Sequence, residues 1–261
     1  MQPLSIVIVC KNEADIIGTS LQSLQGLTDD IIIYDSGSTD GTRQVLKKYP
    51  VRLQEGSWEG FGKTKNKANA LAANDWILSL DADEAIDEEL KRSLIHWQPE
   101  NETTLYEIAF KNFFGNKHLR YGEWGTDYHV RIFNRNKVKW DEAPVHEKLV
   151  CPPGAVTKKL KGFILHRTLR NEDENRKKMQ GYAIRGAEKY HRQGKKASWL
   201  KLQLSPFFTF VNYYILKLGF LDGKEGYRVA RMTAWYTRMK YTRLKELWSI
   251  EQMNSEQGIS K

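Results

Sequence analysis

Cysteine is scarce in this sequence, with two residues in 261. Cys10 and Cys151 fit no metal-ligand spacing and are too few for a disulfide framework, so the chain reads as a reduced, cytosolic protein. An export signal is lacking as well: the opening residues carry no basic leader or cleavage site, and their apolar run is strand-sized. No apolar stretch makes a convincing membrane span. Ser205 to Leu221 comes nearest, and Pro206, Asn212 and Lys217 interrupt it. Low-complexity linkers and internal repeats are missing, which leaves one large domain, or a domain with an appendage, for a chain of this length. Acidic residues are the minority charge, 32 against 41 Lys and Arg, and the net +9 predicts attraction to an anionic partner: nucleic acid, phospholipid headgroups or phosphate-bearing small molecules. RNP, zinc and helix-turn-helix patterns are absent, so nucleic acid is set aside as a partner.

What is present is alternation. Leu4 to Cys10 is a nearly continuous apolar and β-branched run, the pattern of a parallel strand buried on both faces. Ile16, Ile17, Leu21 and Leu24 then recur at helical spacing from about Glu13 to Gln25, and a second strand-like run, Ile31 to Tyr34, follows. The pattern continues with a helix from Gly41 to Lys48, a strand from Val51 to Gln54, a helix from Lys63 to Ala73 and the strand Trp76 to Leu80. Strands alternating with helices imply an α/β fold with a mostly parallel sheet and a ligand crevice beyond the carboxyl ends of its strands. The polar clusters Lys11-Asn12-Glu13, Asp35 to Asp40 and Asp81 to Glu84 fall at those ends. From Thr104 the strand-like pieces Leu105 to Phe110, Tyr128 to Phe133 and Gly162 to Leu165 are expected to extend the same sheet, and beyond Asn171 the chain reads as helical.

Asp81-Ala82-Asp83-Glu84 carries the chemistry. If the extended conformation persists past Leu80, Asp81 and Asp83 project to one side and can share a cation and its phosphate ligands, provided something cationic offsets their repulsion. The same residues fit a helix N-terminus, with Asp83 capping a helix that starts at Glu84. In Asp35-Ser-Gly-Ser-Thr-Asp40, Asp35 can accept from a base or ribose donor while Asp40 caps the following helix.

Four motifs in order, Ser5 to Glu13, Asp35 to Asp40, Gly62-Lys-Thr-Lys-Asn66 and Leu80-Asp-Ala-Asp-Glu84, resemble those of family 2 inverting glycosyltransferases of the GT-A fold. A looser likeness, carried by Trp58 to Gly62, Tyr128 to Phe133, Val145-His146-Glu147 and Gly219 to Gly223, points to the bacterial lipopolysaccharide-core glucosyltransferase subgroup. The resemblance implies a GT-A catalytic domain over 1–170, with a nucleotide-sugar half at about 1–100 and an acceptor half at about 101–170. A helical, basic and aromatic region, 171–261, follows. It implies that Lys11, Glu13 and Asp35 hold the base and ribose of a UDP-sugar, that Lys65 and Asn66 approach the nucleotide or diphosphate, and that Asp81 meets the ribose or the metal shell. Asp83 is the implied metal ligand, His166 completes the shell, and Mg²⁺ or Mn²⁺ suits such a site. The proton acceptor falls to Glu147, with Asp127 as its competitor because the usual Glu-Asp pair is absent; Trp124 and Arg131 are candidate acceptor or phosphate contacts.

The implied activity is metal-assisted transfer of a hexose such as glucose from a UDP-sugar to an envelope-glycan acceptor such as lipopolysaccharide inner core. Transfer to a polyprenyl phosphate or protein, and a non-catalytic nucleotide-sugar binder, are the alternatives. From Lys217 to Lys245 eight Lys or Arg face two acids, Asp222 and Glu225. These helices therefore either pack on the catalytic domain or a second subunit, or lie on the anionic inner face of the cytoplasmic membrane.

Overall fold

The computed structural model describes residues 3–125, 127–142, 148–169 and 172–256. In chain order the first elements are β1 (Leu4–Cys10), α1 (Ile17–Ser23), β2 (Ile31–Asp35), α2 (Thr42–Leu46), β3 (Arg52–Glu55), α3 (Phe61–Ala70) and β4 (Trp76–Asp81). Then come β5 (Glu84–Ile86), α4 (Glu88–Ile95), β6 (Thr104–Phe114), β7 (Lys117–His118), β8 (Asp127–Asn134), β9 (Lys139–Trp140), β10 (Leu149–Val150) and β11 (Val156–Leu169). Three long helices close the chain: α5 (Glu172–Arg192), α6 (Trp199–Val211) and α7 (Gly223–Glu256).

The main sheet runs β3-β2-β1-β4-β8-β6-β11-β5, with β7 paired to β6. Its first four strands are parallel, as the βαβ alternation requires, and β8 turns antiparallel against β4. The middle-third strands thus extend the same sheet. β1 shows why its sequence has no polar face: Leu4, Ile6, Ile8 and Cys10 enter one apolar core with Ile17, Leu21 and Leu24, while Val7 faces Ala68 and Ala72 in a second. Parallel register aligns Cys10 with Asp35 and Val9 with Asp81, so the β1, β2 and β4 carboxyl ends share one edge.

The chain divides into two compact units, residues 1–111 with 126–167, and residues 112–125 with 168–261. Within the second unit Leu119 and Val229 form an apolar cluster with Phe114, Trp124 and Met232, and buried Asp222 accepts from the Arg120 and Tyr121 N–H groups at 2.9 and 2.8 Å. Among the described residues no single helix is long and apolar enough to cross a membrane.

Candidate active site

β4 ends at Asp81, and the chain then turns at Ala82 and Asp83 instead of staying extended. Three hydrogen bonds set that turn. The Ser20 hydroxyl of α1 donates to the Ala82 carbonyl at 2.7 Å, the Arg167 N–H donates to the Asp83 carbonyl at 3.1 Å, and the Asp81 N–H donates to Glu84 Oε2 at 3.0 Å. β5 follows because β11 offers it a partner, pairing His166 with Glu84 and Ile164 with Ile86. The next helix begins only at Glu88, capped by Asp87, whose carboxylate accepts from the Leu90 N–H at 2.9 Å. Capping is therefore the job of Asp87, and Asp83 is left facing His166, with Oδ2 and Nε2 3.5 Å apart.

The cations that three clustered carboxylates require come from two distant elements. Lys65 of α3 places Nζ 3.1 Å from Asp81 Oδ1 and 4.8 Å from the centre of the Trp140 ring. Arg131 of β8 donates to Glu84 Oε1 and lies 3.5 Å from Asp81 Oδ2. Its aim has a backbone cause. Tyr106 pairs with Ile132 but Glu107 with Val130, so the β6–β8 register slips at Arg131 and redirects its side chain. Burial works against ionised Asp81, but Lys65 and Arg131 outweigh it and hold its carboxyl well below the usual carboxylate range. Glu84, 1% exposed, is pushed up by burial against the pull of Arg131. For His166, burial lowers the imidazole pKa, yet the Asp83 hydrogen bond and the charges of Asp83, Glu84 and Asp81 together raise it. Lys65 and Arg131 thus offset Asp81 and Glu84, and the Asp83–His166 pair stands partly exposed at the edge of the cluster.

The neighbouring strand-end loops are tied to one another. Asn12, at φ 58°, accepts from the Thr39 N–H at 2.8 Å and donates its own N–H to Ser38 Oγ at 2.9 Å, while the Glu13 N–H reaches Thr42 Oγ1 at 2.8 Å. Fully buried Asp35 accepts from the Gly37 and Ser38 N–H groups at 3.1 and 2.8 Å and from Arg43 Nε at 2.7 Å. Lys11 stands exposed beyond β1. Asn66 grips the Trp140 backbone on both sides, donating to its carbonyl at 2.8 Å and accepting from its N–H at 3.0 Å. Just beyond, the Asp141 N–H donates to the Lys148 carbonyl at 2.8 Å and the Lys148 N–H to Asp141 Oδ1 at 3.0 Å, closing the neck of the segment between them. Gly62 permits α3 to sit there, since a Cβ on it would fall 1.7 Å from the Asp141 carbonyl oxygen.

At the start of β8, exposed Asp127 accepts from the Tyr128 N–H at 2.9 Å and lies 2.7 Å from His129 Nε2. Phe110, paired in register with Asp127, presents its ring to His129 at 4.8 Å, Arg131 at 5.1 Å and His166 at 6.0 Å. Cys10 is buried in the core, and burial, with Asp35 next in influence, pushes its thiol up to about 12.

Residues 5–151 match the family described as Glycosyl transferase family 2. The chain belongs to that family. Over 89% of its length it is 29% identical to a lipopolysaccharide core biosynthesis glycosyltransferase, LpsC, of Rhizobium meliloti strain 1021, covering 90% of that protein. An uncharacterized glycosyltransferase of Rickettsia typhi is 23% identical over 95% of the chain and 88% of its own length. Among solved structures, S. aureus TarS 1-349 aligns with 96% of this chain and 92% of its own at a TM-score of 0.49 and 15% identity.

The structure of this family 2 glycosyltransferase, a GT-A α/β fold, brings Lys65, Asp81, Asp83, Arg131 and His166 of the expected set together. Asn66 and Asp35 are engaged with backbone and, for Asp35, with Arg43. Trp124 belongs to the second unit, where its carbonyl accepts from Asn112 Nδ2 at 3.3 Å. Glu147 lies outside the described residues. Two members were not assigned a role from sequence: Glu84, whose burial only β11 creates, and Phe110, one apolar residue among many in a strand.

Proposed function

We propose that the chain moves a hexose, glucose in the first instance, from a UDP-sugar to a lipopolysaccharide-type envelope glycan by inverting, metal-assisted single displacement. The carrying observation is the Asp83–His166 pair beside a carboxylate cluster already offset by Lys65 and Arg131. The likeness to a lipopolysaccharide core biosynthesis glycosyltransferase over most of both chains supports the acceptor class.

Among the described residues no group of three or more His, Cys, Asp or Glu forms a protein-only metal cage. One carboxylate oxygen and one imidazole nitrogen fit Mg²⁺ or Mn²⁺ when phosphate oxygens and water complete the shell. Asp83 and His166 would hold that ion, which when bound acts as a Lewis acid toward the departing diphosphate. Lys65 and Arg131 keep Asp81 ionised and fixed at the rim of the site, where it meets the ribose or the metal shell. The Lys11–Glu13 and Asp35–Asp40 loops, locked together, shape the base-binding side. On the opposite face of the sugar, Glu147 takes the acceptor hydroxyl proton, and Asp127, tethered by His129, orients the acceptor or stands in for it.

A panel of nucleotide-sugars assayed with and without Mn²⁺ tests the reading, alongside two variants. Glu147→Gln should lose about 10²–10⁴-fold in turnover while keeping donor affinity. Asp83→Asn should lose the Tm increase that UDP and Mn²⁺ together confer on the wild type. Full transfer by Glu147→Gln would remove it as the base, and turnover with no donor in the panel would sink the proposal.

A further inference from the structure

Among the described residues, the most apolar helix of this chain packs along α7 on one side and leaves a long apolar face uncovered. In α6 none of the described residues is buried, nor is any in the π-helical turn Asn212–Leu216 that continues it. Trp199, Phe207, Phe208 and Leu216 are 68, 60, 61 and 71% exposed, and Leu200, Leu204 and Ile215 join them on the surface. Leu200, Leu204, Phe207, Phe208 and Ile215 recur at helical spacing, so they form a continuous ridge. Water gains nothing from such a ridge, and an exposed apolar patch of this kind marks a contact surface.

Charge says what the contact is. Between Trp199 and Leu216 the sole charged residue is Lys201. Immediately beyond, Lys217, Lys224, Arg228 and Arg231 are all exposed. The last three line a groove of about 520 Å³ with Tyr214, Gly223 and Tyr227. No acid lines it among the described residues; nearby Asp222 is buried and bonded to the Arg120 and Tyr121 backbone. Tyr214 and Tyr227 meet edge to face with centroids 5.7 Å apart and pack with Phe210, which gives the groove an aromatic wall. Apolar ridge, flanking cations and aromatic residues at the junction match the layers of an anionic bilayer surface: acyl chains, phosphates and the interface between them.

Geometry decides between lying on the bilayer and crossing it. The chain bends by 70° between Trp199–Leu216 and Gly219–Asn254, at Leu218 with φ 58°. The second arm carries Lys224, Arg228, Arg231, Arg238, Lys240, Arg243 and Lys245, too many charges for the hydrocarbon layer. One side of α6 is already taken up along α7, where the Thr209 and Thr237 hydroxyls are 3.4 Å apart. The opposite side is free to lie in the interface. A second copy of the chain is a poor occupant, because the basic groove beside the ridge would meet its own charge.

We propose that α6 with its π-helical extension is a monotopic docking surface for an anionic membrane, the ridge entering the acyl boundary and the Lys224–Arg228–Arg231 groove receiving a lipid phosphate. The proposal is independent of the transfer reading, since it is read by binding and not by turnover.

Flotation of the full chain with phosphatidylcholine vesicles, with and without phosphatidylglycerol, tests it. Wild type should float with the anionic vesicles. Phe207→Glu/Phe208→Glu should lose about ten-fold or more in partitioning at every salt concentration. Lys224→Gln/Arg228→Gln/Arg231→Gln should retain residual binding but lose the preference for phosphatidylglycerol, at about five-fold per charge at low salt. Absence of flotation at low salt overturns the proposal, as does binding unchanged in both variants. So does a lipid-free dimer that Phe207→Glu/Phe208→Glu converts to monomer, which would assign the ridge to a second copy.

Discussion

Arg131 is the residue on which the candidate site turns, because it is the cation that Glu84 meets inside the protein. Arg131→Met strands a buried carboxyl, a change that costs about 3–5 kcal/mol when a buried pair is broken from one side. Glu84 already sits above the usual carboxylate range through burial. Stability owed to such a group is fullest below its unfolded-state pKa and falls as pH rises through the folded one. The variant's loss in urea denaturation should therefore grow with pH, and Arg131→Met/Glu84→Gln should recover part of it. Asp35 carries the opposite sign. Burial would raise its carboxyl, but the Arg43 hydrogen bond, followed by those of Ser38, outweighs burial and lowers it. Its stabilisation is present above the unfolded carboxylate pKa, about 3.9, and lost as pH falls through the depressed value. Arg43→Met should move the acid-unfolding midpoint to higher pH, as followed by circular dichroism.

Among the elements, the legible ones are those whose own sequence decides them. β1, β2 and β4 lie buried on both faces, so each reads as an unbroken apolar run. α1 starts at Ile17 and not Glu13, and the preceding residues are tied to the next strand-end loop, with the N–H groups of Asn12, Glu13 and Ala14 bonded to Ser38, Thr42 and Asp40. Those partners are a loop away, beyond the reach of local periodicity. β5 is three residues long and exists through its pairing with β11, which no pattern inside Glu84–Ile86 reveals. Nor does sequence show that Gly162, at φ 98°, would with a Cβ come within 2.1 Å of the Leu90 nitrogen, which is how α4 starts against β11. Asp87 joins these elements: besides capping α4 it accepts from the Phe163 N–H at 3.0 Å. Asp87→Ala should cost about 1–2 kcal/mol in equilibrium unfolding, the upper range for a lost cap.

At the scale of the whole molecule, the family motifs were readable because they are short, ordered and gathered at one sheet edge. The placement of residues 112–125 was not, since Asp222 and Val229, which hold them, lie about a hundred residues further on. The segment expected to carry the proton acceptor Glu147 lies outside the described residues, and its flanks are held by the Asp141–Lys148 hydrogen bonds beside the Trp140 backbone that Asn66 grips. Asn66 follows Lys65 in α3, so one helix holds both the Asp81 carboxylate and the Trp140 backbone. The Asp141–Lys148 hydrogen bonds pair the chain on either side of residues 142–147, so under the proposed function that stretch is a place to exchange sequence while the flanking backbone stays paired. Grafting the corresponding stretch from a relative in place of residues 142–147 should leave UDP affinity in calorimetry within about two-fold and change which acceptors are glycosylated. Under the proposed function, that stretch and the sheet edge are separate places at which acceptor choice and donor binding can be altered.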